Sequence, residues 1–207
     1  MKPYYSDDHV TLYHARWEDV PADLLRADVL VTDPPYGIGR DGKPPSTSSH
    51  GGHKGYAFAG WDGARPESFD ALLGRTTAQV IWGGNYFADM LPPTAGWLVW
   101  DKGQRIDQAD AELAWTSLPS PVRVFTLNRV ALMTDGAVHP TQKPVALMRW
   151  VIQKCPPGTV LDPYAGSGTT LVAAKSLNRK AIGVECVERY CEVAAKRLSQ
   201  EVLGLVA

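Results

Sequence analysis

The sequence predicts an α/β fold built on a doubly wound, mostly parallel sheet. Three observations predict it. Short apolar, β-branched runs such as Val29–Thr32 and Ala181–Val184 read as strands. Stretches with helical spacing separate several of them, which is the alternation that produces a parallel sheet covered by helices. The residues with chemistry sit just past the C-terminal ends of those strands, where open α/β sheets place their ligands.

Val10–His14 reads as the first strand and Val29–Thr32 as a stronger one, stopped at once by Asp33-Pro34-Pro35-Tyr36-Gly37, because proline cannot continue a central ladder. Residues 37–62 are rich in Gly, Ser, Pro and His and read as a long loop. Residues 67–76 suit a helix. Gln79–Trp82 is a buried strand ending in Gly83-Gly84-Asn85, with a short helix after it that Pro92-Pro93 stops. Trp97–Trp100 is a further strand, and residues 111–116 and 122–127 read as a strand pair joined across Ser117–Pro121. Pro144 suits the first position of a helix over Val145–Gln153, which Pro156-Pro157-Gly158 ends. Thr159–Leu161 runs as a strand into a Gly-rich loop, followed by a helix over Thr169–Leu177, the strand Ala181–Val184 and a last helix over Glu188–Leu198. All 207 residues read as one domain.

An apolar content of 44% and a charged content of 21% are those of an ordinary globular chain. No apolar run approaches the roughly 18 residues that span a bilayer, and the first eight residues form no signal sequence, so the expectation is a cytoplasmic protein without membrane contact. A net charge of −1 neither supports nor excludes nucleic-acid binding, for which a local basic patch suffices. Cys155, Cys186 and Cys191 suit neither a disulfide framework nor a zinc site, and no metal site is expected.

The C-terminal unit carries the first candidate site: Asp162, Pro163, Tyr164, Ala165, Gly166, Ser167, Gly168 and Thr169 between a strand and a helix. The glycines let backbone approach a ligand, and the helix N-terminus offers unpaired N–H groups. Glu185 ends the next strand, 23 residues after Asp162, a spacing that suits an acceptor for ribose hydroxyls. No Lys follows Gly168, which rejects a phosphate-binding P-loop, and Leu171 occupies the third glycine position of a dinucleotide fingerprint. By itself Gly-x-Gly leaves a plain strand–helix turn open. Asp162 shifts the balance: a carboxylate repels a phosphate but pairs with an ammonium, and S-adenosylmethionine carries an ammonium and a sulfonium.

Asp33, Pro34, Pro35 and Tyr36 form the second candidate site. An exocyclic amine on adenine or cytosine is a poor nucleophile because its lone pair is delocalised into the ring. A carboxylate and a backbone carbonyl, here Asp33 and Pro34, can accept its two N–H bonds and draw the nitrogen toward tetrahedral geometry. The prolines fix φ and preorganise the turn. Tyr36 offers a flat face to a base extruded from a helix. The bland reading is a Pro-Pro turn that merely ends a strand, with Asp as a turn former. Covalent attack on a cytosine ring carbon uses a Cys after a Pro, and Cys155-Pro156 has the reverse order.

Together these motifs resemble the β class of DNA amino-methyltransferases, the N6-adenine/N4-cytosine group. Asp33-Pro34-Pro35-Tyr36 comes first, then Trp82-Gly83-Gly84-Asn85 and Trp100-Asp101-Lys102, then His139-Pro140-Thr141-Gln142-Lys143-Pro144, and last Asp162-Pro163-Tyr164-Ala165-Gly166-Ser167-Gly168-Thr169-Thr170. The resemblance implies a Rossmann-like seven-stranded sheet, circularly permuted with the catalytic half first, S-adenosylmethionine as cofactor, DNA as substrate, and frequent homodimers. It also implies that Thr141 and Lys143 stand near the methionine carboxylate. Two departures are plain. The family's Gly-Asp after the first strand is replaced in the stretch Tyr13–Asp19, where Glu18 or Asp19 are the available acids. The target-recognition segment shrinks to about residues 126–138.

The resulting expectation is N6-adenine methylation in DNA by direct displacement on a flipped base, since Asp rather than Ser leads the motif. N4-cytosine methylation is the alternative, RNA a more distant one, and an inactive cofactor- or DNA-binding remnant the alternative of another class. Residues 37–62 are expected to act as a lid, with Arg40, Lys43 and Lys54 meeting phosphates. Arg123 and Arg129 are further DNA-contact candidates, although a surface arginine is commonly just solvated. Trp82, Trp97 and Trp100 read as core.

Overall fold

A computed structural model describes residues 1–39, 62–103, 109–128 and 142–200. The strands are β1 (Tyr5–Ser6), β2 (Val10–His14), β3 (Val29–Thr32), β4 (Ala78–Trp82), β5 (Trp97–Asp101), β6 (Ala111–Thr116), β7 (Arg123–Thr126), β8 (Val160–Asp162) and β9 (Ala181–Glu185). The helices are α1 (Phe69–Leu73), α2 (Val145–Lys154), α3 (Thr169–Ser176) and α4 (Glu188–Ser199). One sheet contains every strand, in the order β1-β2-β9-β8-β3-β4-β6-β5-β7. The seven strands from β2 to β5 form the expected sheet. It is extended at one edge by the antiparallel β1 and at the other by β7, parallel to β5.

Five neighbouring strands, β2, β9, β8, β3 and β4, run parallel. Their central members are buried on both faces: Val29, Leu30 and Val31 are fully buried, as are Val80, Ile81 and Trp82. A strand covered on both sides gains from apolar residues at every position, so β3 is a continuous apolar run without alternation. One face packs against α2, α3 and α4 through Leu147, Met148, Val151, Leu171, Ala174, Cys191 and Leu198. The other face is covered by short pieces: 3-10 turns at Trp17–Asp19 and Ala22–Leu25, together with α1, supply Trp17, Leu25 and Leu72.

Three expectations change. The helix over 67–76 shortens to five residues and ends at Gly74. The strands at 111–116 and 122–127 do not pair with each other. β5 lies between them, antiparallel to β6 and parallel to β7, so Ser117–Pro121 is a crossover instead of a hairpin turn. Pro144 is the N-cap, with extended ψ of 140°, and the helix begins one residue later. No helix among the described residues is long and apolar enough to cross a membrane.

Candidate active site

β3 and β8 are neighbours although about 130 residues separate them in sequence, so the turn after β3 and the Gly-rich loop after β8 lie side by side. One hydrogen bond ties the two strand ends: Thr32 Oγ1 donates to Asp162 Oδ1 at 2.8 Å. The same oxygen accepts from the Tyr164 N–H at 3.2 Å. Asp162 is 2% exposed and lies beneath the loop, where it braces the turn. Burial pushes its carboxyl up to about 6 despite the hydrogen bonds from Thr170, Thr32 and Tyr164.

The two glycines of the loop have different reasons. Gly166 has φ of +51°, and a Cβ there would meet nothing within 4 Å, so its α-carbon faces open space. A Cβ on Gly168, φ +77°, would lie 2.8 Å from the Ala194 side chain; this glycine admits α4 against the loop. Glu185 accepts the Gly166 N–H at 2.8 Å on one oxygen and the Val187 N–H at 2.7 Å on the other. Burial raises its pKa even so. A carboxylate oxygen has a second lone pair, so Glu185 keeps capacity for hydroxyl donors. Ser167 donates to Gln142 Oε1 at 3.1 Å, and Arg197 donates to the Ser167 carbonyl at 2.7 Å and to Thr169 Oγ1 at 3.0 Å. An open glycine face, a helix N-terminus and a buried acid at the next strand end are the features that fit a nucleoside carrying an amino acid tail.

Asp33 stands just past the C-terminal end of β3, with its side chain 25% exposed. Tyr36 Oη donates to its Oδ1, and Lys143 Nζ lies 2.5 Å from its Oδ2. The Tyr36 ring stacks on Tyr86 at 4.8 Å and 18°, so one of its faces is already covered. Burial and the charge of Asp33 hold its hydroxyl well above the ordinary tyrosine pKa, which keeps it a neutral donor. Gly83 has φ of +68°, and a Cβ there would fall 2.1 Å from a Tyr36 ring carbon, so the Trp82-Gly83 turn exists to admit that ring. Asp62 fixes the backbone of the turn: its Oδ1 accepts from the N–H groups of Tyr36 at 2.7 Å and Gly37 at 2.9 Å.

Lys143 was placed by resemblance near the cofactor's carboxylate. The structure puts its ammonium between Asp33 and Glu112, 3.1 Å from Glu112 Oε2, and over the Trp82 ring at 5.2 Å. Burial depresses its pKa, but the carboxylates of Asp33 and Glu112 outweigh burial and hold it well above the ordinary lysine value. Glu112 also meets Lys102 Nζ at 2.8 Å. Burial raises its carboxyl, the two lysines outweigh that, and it settles at about 2.

Thr141, Arg40, Lys43, Lys54 and Arg129 lie outside the described residues, as do most of the expected lid and of the short target-recognition segment. Arg123 is exposed on β7 and lines an open groove with Ser117–Ser120 and Lys154. After β2, Trp17 is buried and donates to Tyr164 Oη at 2.9 Å, while Glu18 pairs with Arg16 at 3.7 Å and accepts from Ser68 at 3.3 Å. Sequence reasoning missed Glu112, Asp62 and Arg197, and gave Gln142 within a motif but no role. A lone acid inside the otherwise apolar strand β6 is the signal that could have found Glu112.

Residues 100–196 match the family described as N6/N4 DNA methylase. Type II methyltransferase M.HpaI of Haemophilus parainfluenzae is 27% identical over 86% of this chain and 69% of its own length. The chain is similar to DNA amino-methyltransferases. Type II methyltransferase M.ScaI of Streptomyces caespitosus is 42% identical over 73 residues, and Type II methyltransferase M2.DpnII of Streptococcus pneumoniae is 46% identical over 65 residues. Each of these two matches spans 24% of the relative's length. The solved M1.HpyAVI–SAM complex superposes with a TM-score of 0.60 at 25% identity, covering 91% of this chain and 99% of that one. The cytosine-N4-specific PvuII methyltransferase has a TM-score of 0.61 at 14% identity, over 98% of this chain and 91% of its own, a likeness of fold alone.

Proposed function

We propose that this chain methylates an exocyclic amino group of a DNA base with S-adenosylmethionine as donor, and that adenine N6 is the target. The observation that carries the reading is the Thr32–Asp162 contact, which sets Asp33 beside the Gly-rich loop. When bound, S-adenosylmethionine supplies an electrophilic methyl group on a sulfonium. Gly166 and the start of α3 offer open backbone to its amino acid end, and Glu185 offers acceptors to its ribose. Asp33 accepts one N–H of the target amine, and the Pro34 carbonyl accepts the other. Asp62 holds that turn rigid, so the acceptors need no rearrangement at the moment of reaction. Tyr36, already stacked on Tyr86, serves chiefly to fix the Asp33 carboxylate.

The experiment is methylation of DNA free of modified bases, with nucleoside analysis by mass spectrometry and an Asp33→Ala control. N6-methyladenine that disappears in the control is the expected result. N4-methylcytosine selects cytosine instead, a reading the family equally accommodates. Neither product, with cofactor binding intact, overturns the function and leaves an RNA substrate or an inactive remnant.

A further inference from the structure

Beside Asp33 stand a second carboxylate and a cation that the catalytic scheme does not use. Lys102, Glu112, Lys143 and Asp33 alternate in charge across the ends of β5, β6 and β3. The two ammoniums are buried, with side chains 6% and 7% exposed, whereas Asp33 and Glu112 are 25% and 31% exposed. Lys143 is therefore tethered beneath the two carboxylates. Swinging it away would leave Asp33 with the Tyr36 hydroxyl as its one remaining side-chain donor among the described residues and Glu112 with Lys102 alone, a net loss of positive charge beside two carboxylates. An ammonium has three N–H donors, and the two carboxylates account for two.

We propose that Lys143 is a specificity residue for the target base: its remaining N–H donates to the ring nitrogen beside the exocyclic amine, while Asp33 accepts from the amine. The inference rests on the methyltransferase reading above. Adenine and cytosine share one edge at the amine carbon, an amino donor next to a ring-nitrogen acceptor, N1 in adenine and N3 in cytosine. A carboxylate and an ammonium joined by a short contact present the complementary order, acceptor beside donor. Thymine and guanine reverse the pattern on the same edge, with a carbonyl beside a ring N–H. That carbonyl would face Asp33 and the N–H would face Lys143, leaving two buried mismatches. Rejection by unpaired polar groups is stronger than any preference from shape. Donation to the ring nitrogen withdraws electron density from the amine, so the contact serves recognition and its loss falls on KM more than on kcat.

The test uses DNA in which every adenine is 1-deazaadenine, with 7-deazaadenine as control; 3-deazacytosine replaces the probe if the product is N4-methylcytosine. For the wild-type chain the 1-deaza substitution is expected to lower kcat/KM about 10- to 100-fold, the range for a lost hydrogen bond to a charged donor. The 7-deaza substitution should cost less than about threefold, too little for a lost charged hydrogen bond. Lys143→Met should lose a similar factor on ordinary DNA and nothing further on 1-deaza DNA, because the partner is already gone. Lys143→Arg retains a donor and should retain sensitivity to the 1-deaza probe, which decides the matter if the methionine variant fails to fold. Wild-type turnover indifferent to 1-deazaadenine overturns the proposal. So does equal sensitivity to the 7-deaza control, or an undiminished 1-deaza effect in Lys143→Met. A wild-type chain that methylates no ordinary DNA fails earlier, at the function itself.

Discussion

Gly83 and Tyr36 show how closely a single position can be specified. The left-handed φ of Gly83 strains any L side chain, and a Cβ would overlap the Tyr36 ring. Gly83→Ala is expected to destabilise the fold by about 1–3 kcal/mol in denaturant unfolding, from backbone strain and overpacking together. Because the displaced ring is the one that donates to Asp33, methylation should fall further than stability predicts, whereas binding of the cofactor should not change. An active-site loss no larger than the stability loss would separate Gly83 from the Tyr36–Asp33 contact. The residues proposed to carry the chemistry stand where short motifs can be read: Asp33, Tyr36 and Gly166 follow strands that the apolar runs already mark. The partners of those residues were not legible. Glu112 and Asp62 approach the site from distant parts of the chain, and only the fold shows that they meet it.

At the scale of elements, the strands were readable and their neighbours were not. The alternating burial of β5 and the continuous burial of β4 follow from one covered face or two. The insertion of β5 between β6 and β7 follows from the crossover after Thr116, and no local pattern encodes it. The edge hairpin of β1 and β2 depends on one ion pair. Asp7 accepts from the N–H groups of His9 and Val10 at 2.9 and 2.7 Å, and from Tyr5 and Lys175, the last at 2.6 Å. Its side chain is 24% exposed. Burial acts to raise its carboxyl pKa, and the bonds from Lys175, Tyr5 and the two backbone N–H groups reverse that and hold it well below the usual 3.8. A depressed carboxyl stabilises the fold above its unfolded pKa and loses that contribution as pH falls through the folded value. Asp7→Asn is therefore expected to cost about 1–3 kcal/mol near neutral pH. The gap from wild type should narrow as pH drops below about 4, near the ordinary carboxylate pKa. Thermal melts across pH check this; a gap independent of pH removes the ionised carboxylate as its cause.

Across the whole molecule, the central sheet buries a titrating acid where its two halves join. Asp162 is pushed up to about 6 from an ordinary 3.8, so between those values the folded chain keeps a proton that the unfolded chain releases. The contribution of this group is most favourable below about pH 4, declines as pH rises to about 6, and then levels off. Relative to Asp162→Asn, the wild type should lose on the order of 2–3 kcal/mol across that window, and paired melts from pH 4 to pH 7 measure it. A constant difference would show that Asp162 ionises in the fold as it does in water. The fold class was legible from alternation of strands and helices, whereas the side-by-side placement of β3 and β8 required the permuted order that the motifs implied. That order also sets the timetable of synthesis. β2 is made before its parallel partner β9, which follows about 170 residues later, and β8 reaches β3 only after about 130. At about 5–20 residues per second, β2 waits on the order of ten seconds or more with its inner edge unpaired. The nascent chain therefore depends on slow, long-range closure, and chaperones that shield strand edges have their longest opportunity at the N-terminal half.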